Sequence, residues 1–485
     1  MLSTSTVEIL KKLSPQELKR FGDFLKSPYF NTTGAHEKIY DIVTKAHPDY
    51  TSEDLNSEAM SVKIFGKGEF KEKRLKNLCS EFGNLLQKFI GYELIDETGM
   101  DLDINIAKGL VRRGLFKNGA KFIEKSETRF KDMPYFHTHL LYYKYNMESG
   151  KKQIRASSER AFYKNELDKI ENERCDSMVS LFLRDFYEAV HMNDVSKGLG
   201  ELTGINIIEK FNEAFDIKVL LKFLKESNSK HYPFIKTHYL LSHHFTHDIS
   251  EELFYELKKD VFEIAQHLGK LNALDIILKT IHVILIKLIP RDRKYYHDIV
   301  DLGKLLCELK IFESSEKSVI GRGIVQDIFL PAVIVKEYDW AEKFAREYCM
   351  YLREDLRENE LNYCMGVLSF KRGKYEESLN YINIIKLVDF PQKHSVYYYY
   401  LMNYIEIKAY ENALSTLQTF KQFFLDQKNP PEFFKNSSSS LKFFAEIIKS
   451  EMNGKKVDGL LYEKAKSINS FPHKPYVLEK MEKLL

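Results

Sequence analysis

The sequence predicts an all-α fold, namely an α-solenoid of helical hairpins preceded by a small N-terminal helical bundle. Two observations support this prediction. One short phrase recurs after 37 and then 35 residues, and no segment of useful length alternates between apolar and polar residues. Apolar residues at every third or fourth position place one face of a helix against a core, whereas strands repeat at every second position. Strand content is therefore expected to be close to nil.

Residues 1–95 are predicted to form the N-terminal helical bundle. Ser14 and Glu17 match the S-x-x-E pattern of a capping box, in which each side chain binds the other residue's backbone N–H at a helix start. A long helix is expected over about 69–94. The short, polar stretch 97–101 contains a glycine and is the predicted hinge to the rest of the chain.

Beyond the hinge, the sequence predicts an irregular helical-hairpin region over 102–330 and a repeat region over 331–485. The recurring phrase lies in the repeat region, as Tyr338-Asp-Trp-Ala341, Tyr375-Glu-Glu-Ser378 and Tyr410-Glu-Asn-Ala413. Its aromatic and small residues lie on one face of a helix. Because a small residue allows a neighbouring helix to approach, Ser378 and Ala413 are expected at close helix contacts. A period in the mid-thirties indicates two helices per unit, and such units stack.

The middle copy resembles a tetratricopeptide (TPR) repeat, and the resemblance is clearest over about 331–425. The small, aromatic, small, bulky and proline positions of that family are occupied by Gly366, Tyr375, Ser378, Ile382 and Pro391. Two features depart from the family pattern, since no tryptophan opens the repeat and Leu401 stands where a small residue is expected. The resemblance implies a TPR-like solenoid in which the first helix of each pair lines a concave groove.

Carried over by position, the resemblance gives a set of candidate partner-binding residues: Tyr363, Phe370, Lys371, Tyr398, Tyr399, Met402 and Glu406. The run 396–401 has rings on every side of its helix. Tyr398 and Tyr399 therefore need a further contact, either from an adjacent helix or from a bound peptide. We interpret the chain as a non-enzymatic scaffold or adaptor that binds a protein or peptide partner in a concave aromatic groove.

The alternative interpretation is a nucleic-acid-associated regulator that uses the N-terminal helical domain. Its candidate contacts with phosphates are Lys71, Lys73, Arg74 and Lys76. Acidic residues interrupt this stretch, and no recognition helix with base-reading side chains is identifiable. The whole chain has 73 basic and 70 acidic residues, so its net charge of +3 provides no general attraction for nucleic acid. The pattern is more typical of a solvated helix face.

Metal-capable residues are densest at His238, His243, His244 and His247. His243 and His247 are four residues apart and could share a zinc ion on one helix face. However, His244 stands where a metalloprotease motif has glutamate, and no third ligand is fixed in sequence. This spacing is more typical of histidines that pack against neighbouring residues near the end of a helix. The five cysteines are scattered without a C-x-x-C pair, so they indicate neither a disulfide framework nor a zinc knuckle.

The sequence contains no phosphate-binding glycine loop and no nucleophile motif in a strand-to-helix setting, so we expect neither an enzyme nor a bound cofactor. The start of the chain lacks the features of a signal peptide. Charged residues interrupt the most apolar run, 274–289, which excludes a membrane span there. A cytoplasmic location is expected. The sequence does not specify the partner's identity or an oligomeric state.

Overall fold

The computed structural model describes residues 2–66, 72–98, 100–130, 138–156, 164–198, 207–229, 231–246, 249–314, 320–386, 390–426 and 437–485. Within these ranges the chain forms 24 α-helices and no strand, which confirms the predicted all-α helical-repeat fold. An isolated parallel bridge joins Ile320 to Leu352. None of the described helices has the length and apolarity needed to cross a bilayer. The cytoplasmic location stays a prediction.

The chain divides into two compact units, the first formed by 1–133 with 137–182 and the second by 134–136 with 183–485. The first unit contains α1 (Thr4–Lys12), α2 (Pro15–Lys26), α3 (Ala35–Lys45), α4 (Ser57–Phe65), α5 (Glu72–Thr98), α6 (Met100–Val111), α7 (Phe116–Phe130), α8 (Thr138–Ala156) and the first half of α9 (Lys164–Gly198).

The second unit contains the remaining helices. They are α10 (Ile207–Ala214), α11 (Ile217–Glu226), α12 (Tyr232–Thr246), α13 (Glu251–Ala265), α14 (Lys270–Val283), α15 (Tyr296–Glu308), α16 (Arg322–Ile334), α17 (Tyr338–Tyr348), α18 (Glu354–Lys371), α19 (Tyr375–Ile384), α20 (Phe390–Glu406), α21 (Tyr410–Leu425), α22 (Ser437–Asn453), α23 (Gly459–Ser467) and α24 (Lys474–Glu482).

Helices α1–α5 pack around a hydrophobic core of their own, which includes Leu10, Phe21 and Phe82. The predicted capping box is present at the start of α2. The N–H of Glu17 donates to Ser14 Oγ over 3.2 Å, and the N–H of Ser14 donates to Glu17 Oε2 over 2.7 Å. At the predicted hinge, α5 continues to Thr98 and α6 begins at Met100, while Gly99 lies outside the described residues. Independent folding of 1–95 stays a prediction.

The three phrases of the repeat region adopt the same turn. The tyrosine of each phrase is the first residue of α17, α19 or α21. Two positions earlier the backbone is left-handed, with φ of 68° at Lys336, 76° at Gly373 and 60° at Lys408. In each phrase, the residue between this left-handed residue and the tyrosine donates its N–H to the carbonyl five positions back, over 2.8–2.9 Å. This arrangement is a Schellman motif, which satisfies carbonyls that the ending helix leaves without partners.

The two small residues predicted at close helix contacts are buried, and Ser378 makes such a contact. Ser378 and Ala413 are fully buried. Ser378 Oγ donates to the carbonyl of Gly366 over 2.7 Å. A Cβ added at Gly366 would lie 2.8 Å from Ile382 Cγ1, so α18 and α19 approach too closely there for a larger residue.

A single hydrophobic cluster extends from α12 to α24 and includes residues as distant in sequence as Phe234 and Met481. The boundary predicted at 331 falls inside α16 and inside this cluster. A smaller cluster joins the second half of α9 to α11 and α12 and contains Leu183, Tyr187 and Ile235.

Candidate functional site

Helices α18 and α20 bring the seven predicted partner-binding residues together, and α24 packs against them. The contacts come from two features of α24: His473 at its N-terminal cap, and the side chains of Tyr476 and Lys480. We call the residues that receive these contacts the α24 seat: Phe370, Tyr398, Tyr399, Met402 and Glu406.

Tyr398 is the most enclosed ring of the α24 seat, with no exposed surface. Its ring centroid lies 4.9 Å from Phe420, 5.6 Å from Phe444 and 5.0 Å from His473. Its hydroxyl donates to the carbonyl of Ser437 over 3.4 Å. Burial raises the pKa of Tyr398 to about 12, because the phenolate loses its hydration there. Contacts from three surrounding segments make this ring part of the core.

Tyr399 connects α20 to α18. Its ring lies 6.0 Å from Tyr363 and 5.7 Å from Phe370, both in edge-to-face geometry, and 5.4 Å from His473. Edge-to-face pairs place the positive ring edge against a negative ring face, which adds to the gain from burial. Burial raises the pKa of Tyr363 and of Tyr399 above that of a free tyrosine. The rings of Tyr363, Phe370 and Tyr399 are buried.

Helix α24 binds its seat through one ring, one hydroxyl and one ammonium group. The ring of Tyr476 lies 5.9 Å from that of Phe370, and its hydroxyl donates to the carbonyl of Met402 over 3.5 Å. Lys480 Nζ donates to Glu406 Oε2 over 2.9 Å. Val477 and Met481, on the same helix, are fully buried. The helix therefore combines apolar burial with polar contacts that fix its register.

These contacts correct the expectation of an open aromatic groove. Five of the predicted groove side chains are buried: Tyr363, Phe370, Tyr398, Tyr399 and Met402. Glu406 pairs with Lys480, while Lys371 reaches solvent. The prediction of an open groove is wrong because α24 covers this face. Phe420 of α21 and Phe444 of α22 complete the enclosure of Tyr398. A role of the seven residues in partner binding stays a prediction.

Lys371 stands at the border of the α24 seat. Its Nζ lies 5.8 Å from the ring centroid of Phe370. Although the side chain reaches solvent, many neighbouring atoms surround it, and this partial burial lowers its pKa. Glu479 of α24 opposes the decrease, whereas Arg293 adds to it.

Sequence reasoning missed the residues of α24 that complete the site, above all His473, Tyr476 and Lys480. Tyr476, Val477, Lys480 and Met481 follow a helical i, i+1, i+4, i+5 spacing, which indicates a helix with one contacting face. That spacing could have identified the face. It could not have identified the seat, which lies about 74–106 residues earlier in the chain.

The structure does not gather the predicted phosphate contacts into a defined site. Lys71 lies outside the described residues, and Lys73 is exposed. The guanidinium of Arg74 lies 4.9 Å from the ring centroid of Phe65, and Lys76 Nζ lies 2.9 Å from Glu72 Oε1. The last two cations therefore already have local partners. The nucleic-acid alternative stays a prediction.

The histidine group is divided between the core and undescribed positions. His238 is buried with its ring 4.5 Å from Phe234, and burial lowers its pKa to about 3. The ring of His243 lies 5.5 Å from that of Tyr239. The side chain of His244 and all of His247 lie outside the described part of the chain. Among the residues that were placed, no group of three or more metal-capable side chains could hold an ion.

Comparisons with protein-family models, curated proteins and solved structures gave no match. The likeness to TPR repeats rests on the residues of 331–425, and membership of that family stays a prediction.

Proposed function

We propose that this protein is a non-enzymatic helical-repeat scaffold or adaptor, which binds a helical segment of a partner protein at the α24 seat in exchange with α24. The observation that carries the proposal is the occupied seat itself. It receives a helix through ring contacts, a carbonyl acceptor and a carboxylate, as helix-in-groove recognition requires.

The contacts of α24 define the chemistry of a competing helix. It needs an aromatic hydroxyl at the position of Tyr476, apolar side chains at those of Val477 and Met481, and a cation at that of Lys480. The buried apolar side chains supply most of the affinity, because anchors of this kind dominate binding energy. The cation facing Glu406 sets register and orientation.

When a partner helix replaces α24, the buried area of the seat is preserved. The main cost of the exchange is therefore competition with α24, which stays tethered to the seat by the chain. Residues 468–473 connect α23 to α24. A short tether gives a local concentration on the order of 1 mM. A partner present at about 1 µM must therefore bind roughly a thousandfold more tightly than the α24 segment would as a free peptide, or about 4 kcal/mol. In this proposal α24 sets the minimum affinity that a partner helix needs to occupy the seat.

The start of α24 contains a feature that favours release. His473, which caps the helix, has a left-handed backbone with φ of 56°. That conformation costs a non-glycine residue about 1–2 kcal/mol. Its ring contacts with Tyr398 and Tyr399 offset this cost only while α24 is docked.

The test uses the full-length chain and a fluorescent peptide of residues 470–485. Lys480→Glu places a carboxylate opposite Glu406 and weakens the docking of α24. The labelled peptide should then bind this variant at least tenfold more tightly than the wild-type protein in fluorescence anisotropy. Lys483→Glu is the matched control. It makes the same charge change at the C-cap of α24, where Lys483 forms an exposed ion pair with Glu479, with 2.7 Å between Nζ and Oε1.

Equal binding of the peptide to all three proteins, or no binding, would refute exchange at the α24 seat. The nucleic-acid alternative predicts a different pattern. In that case a labelled single-stranded oligonucleotide should bind with strong salt dependence, and binding should be lost when Lys73, Arg74 and Lys76 are changed to alanine.

A further inference from the structure

Helix α11 has apolar side chains on two opposite faces. Its inner face contributes Ile217 and Leu224, which are buried, to the smaller cluster with Leu183, Phe186 and Ile235. Asp216 caps the helix by accepting the N–H of Lys218 over 3.0 Å. The inner face therefore fixes both the position and the rotation of α11.

The outer face of α11 exposes two large apolar side chains. Val219 is 68% exposed and Phe223 is 62% exposed. They are four residues apart and therefore lie side by side along one face of the helix. A surface helix normally has polar residues opposite its buried face, and an apolar outer stripe is typical of a helix that a partner covers.

A row of lysines borders this apolar pair. Lys218, Lys222 and Lys225 are exposed, and their spacing of four and three residues aligns them along one edge of the outer face. The helix has one acidic residue, Glu226, whose Oε1 lies 3.8 Å from Lys222 Nζ. The outer surface thus combines an apolar stripe with a predominantly cationic edge.

We propose that the outer face of α11 is a second docking surface, which binds an acidic amphipathic helix of a partner protein. Leucine-like side chains of that helix would cover Val219 and Phe223, and a row of its carboxylates would lie along the lysine edge. Helix α11 spans about three turns at about 1.5 Å per residue, so the interface is small and the complex is transient. This surface is separate from the α24 seat, and the proposal does not depend on exchange there.

The charges argue against a second copy of this chain as the occupant. In an antiparallel pair of copies, both lysine rows would lie along the same edge and repel each other. In a parallel pair, no acidic row would face the lysines. An anionic membrane is tested separately with vesicles.

The experiment uses the full-length protein and two labelled helical peptides of about 18 residues. Both have a leucine stripe; one flanks it with glutamates and the other with lysines. We expect the glutamate peptide to bind at least tenfold more tightly, with an advantage that shrinks as salt is added. Phe223→Ser should weaken its binding roughly ten- to thirtyfold. Changing Lys218, Lys222 and Lys225 together to glutamate should reverse the preference between the peptides.

Leu460→Ser is the matched control, because Leu460 is 82% exposed on α23 and its replacement should leave peptide binding unchanged. The proposal is overturned if the two peptides bind equally or if the lysine variant keeps the original preference. It is also overturned if sedimentation shows a dimer that Phe223→Ser dissociates, or if phosphatidylserine vesicles, and neither peptide, bind through Phe223.

Discussion

Lys480 and Glu406 form an ion pair between α24 and α20, with 2.9 Å between Nζ and Oε2 and 16% of each side chain exposed. The two residues are 74 positions apart in the chain. Because the pair is mostly shielded from water, loss of either charge would leave the other partly buried without its counter-charge. The pair thereby sets the register in which α24 lies on its seat.

Loss of this pair should destabilise the protein more than loss of an exposed pair. Lys480→Met leaves Glu406 partly buried without its partner, and we expect the free energy of unfolding in urea to fall by about 1–3 kcal/mol. Lys483→Met removes an exposed pair with Glu479 and should cost less than about 1 kcal/mol. Equal losses for the two variants would show that the buried pair contributes no more than a surface pair.

Tyr398 should behave as a core residue. Tyr398→Ala removes contacts with Phe420, Phe444 and His473, and should lower the free energy of unfolding by about 3–5 kcal/mol. Tyr29→Ala is the control, because Tyr29 is 85% exposed and its removal should change stability by about 0.5 kcal/mol or less. A Tyr398→Ala protein with wild-type stability would contradict the enclosed position of the ring.

Two glycine substitutions should have opposite effects. Gly366→Ala places a Cβ 2.8 Å from Ile382 Cγ1, and the overpacking should cost about 1–3 kcal/mol. Gly323→Ala lies in α16 with no atom within 4 Å of the added Cβ, so the better helix propensity should stabilise the protein by about 0.5–1 kcal/mol. Melting temperatures measured by circular dichroism would compare the two, and a shift in the same direction would contradict the packing argument.

Buried histidines should make the protein less stable in mild acid. Burial lowers the pKa of His394 and of His191 to about 4, and that of His238 to about 3. The unfolded chain, with a histidine pKa near 6.5, binds these protons first. The stability that these neutral histidines contribute is therefore fully present above about pH 6.5 and is lost as pH falls towards 4. Within that window, each of these histidines lowers the free energy of unfolding by about 1.4 kcal/mol per pH unit.

His394→Gln provides the measurement for this histidine effect. Urea unfolding between pH 6.5 and 5 should show a smaller slope of stability against pH in His394→Gln than in the wild-type protein. The difference should correspond to about one proton fewer taken up on unfolding. Leu460→Ser, which changes an exposed side chain without a titratable group, is the control and should keep the wild-type slope. An unchanged slope in His394→Gln would mean that this histidine is not held neutral by the fold.

Features encoded by short-range spacing could be predicted from the sequence. The three tyrosine phrases begin α17, α19 and α21, Ser378 and Ala413 are buried, and Ser14 with Glu17 caps α2. Each of these depends on residues within one or two turns of helix. Hydrogen-bond geometry and the 3.6-residue period connect such neighbours directly, so the sequence carries the information locally.

The sequence by itself determined that Tyr398 and Tyr399 needed a covering contact, because rings surround their helix on every side. The tertiary structure decided that α21, α22 and the segment leading into α24 supply it. It also decided that Phe223 lies on the outer face of α11. An apolar side chain has the same local pattern whether it faces the core or a partner. Its burial depends on which distant segments remove the most apolar surface from water, and no local spacing specifies that.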